Sequence, residues 1–105
     1  MKMKLIDKTY DIKFISNEKI QTDKDKKEKF CTYGAHYATK CLINVNDSLN
    51  DLMQRSTLVH EIVHALDSMC YVKTLTELQT EAIGKELLYF IKNNPKIIEW
   101  ICKVK

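Results

Sequence analysis

The chain has 105 residues, 45% of them apolar and 30% charged, with a formal net charge of +3 and a sequence pI near 8.6. This length allows one domain with one core over residues 1–105, and the composition is that of a folded globular chain, not a disordered one. The charge excess is too mild to argue for nucleic acid, and no apolar run approaches the roughly 18–20 residues of a membrane helix, so neither partner is expected.

The opening "MKMKLIDKTYDIKF" has lysines but no uninterrupted apolar stretch and no small-residue cleavage site, so no secretory signal is expected. Its apolar Tyr10, Ile12 and Phe14 alternate with Asp11 and Lys13, the period of a half-buried strand. Leu5 and Ile6 precede it, and Asp7 with Lys8 can turn a short hairpin. The charged run at 23–29 reads as a solvated segment. "YGAHY" at 33–37 then leads into "CLINVND", where Cys41, Ile43 and Val45 alternate with Leu42, Asn44 and Asn46. That is a second strand, ending near Asp47, with Gly34 permitting a bend before it.

From Leu49 the period changes. Leu52, Met53, Leu58, Val59, Ile62, Val63, Leu66 and Met69 recur at three- and four-residue intervals, the stripe of a core helix that Ser48 or Asn50 can cap. A second helix starts near "TLTELQ", where Thr76 with Gln79, or Thr74 with Glu77, fits a capping box. It turns Leu78, Ala82, Ile83, Leu87, Phe90 and Ile91 inward. Asn94 and Pro95 close it and open a short terminal helix whose Ile97, Ile98, Trp100 and Ile101 are expected to pack in the core. Strands first and helices afterwards predict an α+β fold, a short antiparallel sheet with the helices on one face. Cys31, Cys41, Cys70 and Cys102 are widely spaced without a C-x-x-C pair, which suits reduced thiols and a cytoplasmic location.

The chemistry concentrates in "TLVHEIVHALD" at 57–67. Residues four apart on a helix share a face, so His60 and His64 can direct two imidazoles at one ion, as ligands of a Zn²⁺ must. Glu61 lies about 100° further round, where its carboxylate can reach a metal-bound water without joining the ligands. It would act as the general base of peptide hydrolysis and then return the proton to the leaving amine. A third ligand has to come from the next helix, which offers Glu77 and Glu81 one turn apart. Glu81 is the expected ligand, and Glu77 is the reserve or a partner that orients an imidazole. Asp67, close to the same face, is a further candidate to accept a ring N–H. Tyr33, His36 and Tyr37, placed before the second strand, are candidates to stabilise the oxyanion.

"TLVHEIVHALD" followed by "TELQTEAIGKELLYFIKNNP" resembles the small phage-type relatives of the ImmA/IrrE metallopeptidases of the gluzincin clan, over about residues 40–95. The resemblance implies a minimal zincin in which His60 and His64 bind zinc, Glu61 is catalytic and Glu81 completes the ligand set. It further implies an edge strand at 40–46 that holds an extended protein substrate, such as a regulatory or repressor protein, by main-chain pairing. Two features depart from the family pattern: the acidic pair is spaced four apart, and Thr80 stands directly before Glu81. The rival readings are a binding or inhibitory module in which zinc staples the core without catalysis, and a metal-free helical interaction protein.

Overall fold

The computed structural model describes residues 1–5, 7–16, 19, 33–69 and 74–103. The charged run at 23–29 and the thiols of Cys31 and Cys70 lie outside them. Four strands are described, β1 (Lys2–Leu5), β2 (Lys8–Ile15), β3 (Gly34–Tyr37) and β4 (Leu42–Asn46). Three helices follow, α1 (Asp51–Met69), α2 (Glu77–Asn93) and α3 (Pro95–Cys102).

The α+β class is observed, and the sheet is mixed, with strand order β1-β2-β4-β3. β1 and β2 form the antiparallel hairpin, and β3 pairs β4 antiparallel, but β2 and β4 run parallel with Ile12 opposite Ile43. Parallel neighbours need a connection of a dozen or more residues, and residues 16–41 supply the length. The four-residue β3, read from the sequence as a lead-in, is therefore the strand beyond β4. The expected edge strand at 40–46 lies inside the sheet, between β2 and β3.

Alternation puts Tyr10 and Ile12 of β2, Ile43 and Val45 of β4, and Gly34 and His36 of β3 on one face. There Tyr10, Ile12, Ile43, Val45 and Ala65 form the core, with Leu58, Ile62 and Met69 of α1 packed against it. Phe14, which shares the alternation, is 44% exposed. The β3–β4 turn closes with the Cys41 N–H donating to the Ala38 carbonyl at 3.3 Å, and Cys41 takes a left-handed φ of 48°.

Helix ends follow side-chain chemistry. Asn50 Oδ1 accepts the Met53 N–H at 2.9 Å and caps α1, while Ser48 bonds back to Asn46. Thr76 and Gln79 form the reciprocal capping box of α2, which fixes its first turn. Pro95 occupies the first turn of α3, where its missing N–H removes no helical bond.

The inward faces expected for the last two helices are not the ones observed. α2 turns Thr80 and Gly84 into the protein, whereas Leu78 is 80% exposed and Ile83, Phe90 and Ile91 are also exposed. α3 packs mainly on α2, and Trp100 is 71% exposed, with Ile97 and Ile101 exposed beside it. The small face of α2 lets its backbone approach α1 closely, which turns the larger side chains outward. No helix among the described residues is long and apolar enough to cross a membrane.

Candidate metal centre

α1 carries its polar groups on two different faces. Thr57, Glu61 and Ala65 follow at four-residue intervals and are buried toward the sheet. His60 and His64 occupy the face turned to α2, with their rings edge to face and centroids 4.8 Å apart. Glu61 is 5% exposed and sits under the start of β3. A methyl group built on Gly34 would lie 3.6 Å from Glu61 Cγ, 2.7 Å from Thr57 Cγ2 and 2.8 Å from the Asn44 carbonyl oxygen. Gly34 is thus required for close approach to α1, with no positive φ and no special bend.

The capping box sets the phase of α2, and with it Glu77 and Glu81. Glu77 spans both imidazoles, with its Oε1 2.8 Å from His60 Nε2 and its Oε2 3.0 Å from His64 Nε2. Glu81 Oε2 lies 2.8 Å from His60 Nδ1. His60, His64 and Glu77 each offer a ligand atom within 4.8 Å of the others, and the group could hold a metal ion. Of the two glutamates, it is Glu77, the reserve, that the geometry groups with both histidines. Glu77 meets both imidazoles, and Glu81 lies against the other ring nitrogen of His60.

The reason is helix phase. Thr80 and Gly84 mark the line of closest contact, a methyl group on Gly84 reaching 3.4 Å from His60 Cα. At about 100° per residue, positions 77, 80 and 84 fall within about 60° of arc, while 81 stands about 100° from 80. That pair of small residues is the sequence signal that could have identified Glu77, together with Gly34 as the marker of strand-to-helix approach.

The donor set fits a divalent cation. Both nitrogens of His60 face carboxylate oxygens at 2.8 Å, so one can turn to an ion while the other is oriented by Glu81. The 2.8 and 3.0 Å contacts are somewhat shorter than the edge of about 3.3 Å in a tetrahedron with zinc–ligand bonds of about 2.0–2.1 Å, so the side chains would part slightly to admit the ion.

The remaining candidates are placed as follows. Asp67 Oδ1 accepts the Thr74 N–H at 3.2 Å and so anchors the chain entering α2. His36 stacks on Tyr10, with Nε2 2.9 Å from the phenol oxygen. Burial first, and then the neighbouring charge of His64, push its imidazole below its ordinary pKa. The Tyr37 ring lies under the Lys40 ammonium at 5.5 Å, and Tyr33 is 50% exposed. The chain matches no protein-family model, no curated protein and no solved structure at a significant level.

Proposed function

We propose that this domain is a zinc-dependent metalloendopeptidase that cuts a narrow protein substrate in the cytoplasm. The observation that carries the proposal is the meeting of His60, His64 and Glu77 on one side of α1 while Glu61 is buried one residue away beside β3. A two-histidine, one-glutamate set with an adjacent carboxylate is the donor pattern of hydrolytic zinc sites. The resemblance of "HEIVH" and the following acidic helix to ImmA/IrrE metallopeptidases supports the same reading.

His60, His64 and Glu77 would hold the ion, with Glu81 fixing the His60 ring through Nδ1. When bound, zinc supplies Lewis acidity that polarises a peptide carbonyl and acidifies water. Glu61 takes the proton of the attacking water on its carboxylate and returns it to the leaving amine. β3, the strand beside Glu61, replaces the 40–46 segment as the one against which an extended substrate would lie.

Purified protein should contain about one zinc per chain, and it should cleave members of a peptide library. Glu61→Gln should keep the zinc and lose roughly 10²–10⁴-fold in turnover. The exposed apolar residues of α3 favour the second reading, a zinc-stabilised binding or inhibitory module. A Glu61→Gln variant that keeps both zinc and its full biological effect would establish that reading and end the catalytic one.

A further inference from the structure

The seam between α1 and α2 continues past the metal centre. On α1, Met53, Ser56, His60 and His64 succeed one another at three- and four-residue intervals, and on α2 Glu77, Glu81, Lys85, Leu88 and Lys92 do the same. The backbones approach closely at His60 and Gly84. Toward the start of α1 the seam opens into a groove of about 260 Å³ walled by Leu52, Met53, Leu88 and Tyr89, with Lys85 and Lys92 also lining it. Leu52 is 55% and Tyr89 66% exposed, so apolar surface remains in contact with solvent there. Among the described residues, none that lines the groove is acidic. Lys85 has Glu81 at 3.5 Å, and Lys92 has no ion pair among the described residues.

We propose that this groove is a docking subsite for the protein substrate, taking an apolar side chain flanked by carboxylates. The proposal rests on the peptidase reading and adds the chemistry of the segment recognised. Apolar walls desolvate the side chain, and two ammonium groups seven residues apart on α2 receive the flanking acids. Met53 is seven residues from His60, about 10 Å along α1. An extended chain covers roughly 3.3–3.6 Å per residue, so the acidic-apolar element lies about three to four residues from the scissile bond. A second copy fits less well. A two-fold contact would set Lys85 and Lys92 against their own counterparts, and the chain already carries a net charge of +3.

The test uses the zinc-loaded Glu61→Gln chain, so that binding is read without cleavage. Fluorescence anisotropy would compare labelled peptides with a central Leu pair flanked by Glu, by Gln or by Lys. The Glu-flanked peptide should bind about tenfold tighter than the Gln-flanked one, and the advantage should shrink as salt is raised. Lys85→Glu combined with Lys92→Glu should invert the preference toward the Lys-flanked peptide, and Tyr89→Ser should weaken all three. Equal affinities, no binding, or a preference untouched by the charge reversal would overturn the proposal. So would sedimentation showing a dimer that Tyr89→Ser dissociates. Loss of the peptidase reading would appear separately, as wild-type protein that cleaves nothing while the charge-dependent binding persists.

Discussion

His60 is held between two carboxylates, and what each does is a matter of which ring nitrogen it meets. If Glu77 is the ligand, as proposed, Glu77→Gln should lower zinc affinity by more than about 100-fold. Glu81→Gln removes only the group that orients the ring and should cost about 10–100-fold. Competition with a chromophoric chelator measures both, and the reverse order would restore Glu81 as the ligand. The histidine pair and Glu61 were legible in the sequence because spacing along one helix fixes their directions. Which glutamate meets both imidazoles was not, because two carboxylates one turn apart are told apart only by how α2 is rotated against α1. His36 makes a second prediction. Burial and His64 hold its pKa below the ordinary value, so the folded chain binds this proton less readily than the unfolded one. Its contribution to stability is complete above about pH 6.5 and is lost as the pH falls through that value and on through the lower folded pKa. Urea midpoints of metal-free protein should therefore decline below about pH 6.5, and His36→Gln should flatten part of that slope. Identical slopes would remove His36 from the account.

Two glycines carry the approaches between elements, and they should respond oppositely to alanine. At Gly34 the new methyl would meet Thr57 Cγ2 at 2.7 Å and the Asn44 carbonyl at 2.8 Å, and a backbone oxygen inside a sheet cannot step aside. Gly34→Ala should lose about 1–3 kcal/mol and shift β3 away from Glu61, reducing turnover as well as stability. At Gly84 the nearest atom is 3.4 Å away, an ordinary contact, and alanine suits a helix interior better than glycine. Gly84→Ala should be neutral or gain up to about 1 kcal/mol. Denaturant melts of the two variants side by side decide this, and equal losses would mean that the α1–α2 seam is tighter than the sheet contact. The hairpin, β4, α1 and the helix caps were visible in the sequence because alternation, helical period and capping chemistry are local. β3 was not, since "GAHY" is four residues with no apolar rhythm, and its place beyond β4 depends on a parallel pairing of β2 with β4 made across residues 16–41. The apolar stripes of α2 and α3 misled for the complementary reason. Period shows that a helix has an apolar face but not which face a small-residue contact will choose.

The molecule divides into a body and an attachment. Tyr10, Ile12, Ile43, Val45, Val63 and Ala65 are buried in the sheet and α1, whereas the buried side of α2 among the described residues is Thr80 and Gly84. Little of α2 is fully buried, and the contacts among His60, His64, Glu77 and Glu81 add to the packing that joins it to α1. A ligand that binds only the closed arrangement stabilises it by about 2.7 kcal/mol at 100 times its dissociation constant. Spread over a domain of this length, that is a rise of about 10–20 °C in Tm. The gain should also be uneven, because opening of α2 away from the sheet is a smaller event than global unfolding. Hydrogen exchange with and without zinc should therefore show strong added protection in α2 and in the His60–His64 turn of α1, and little in β2 and β4. Glu61→Gln should show the same pattern as wild type, since its carboxylate is outside the ligand set, and His64→Ala should show none. Protection spread evenly over sheet and helices would mean that the domain opens only as a whole, and that the metal centre is no hinge between body and attachment.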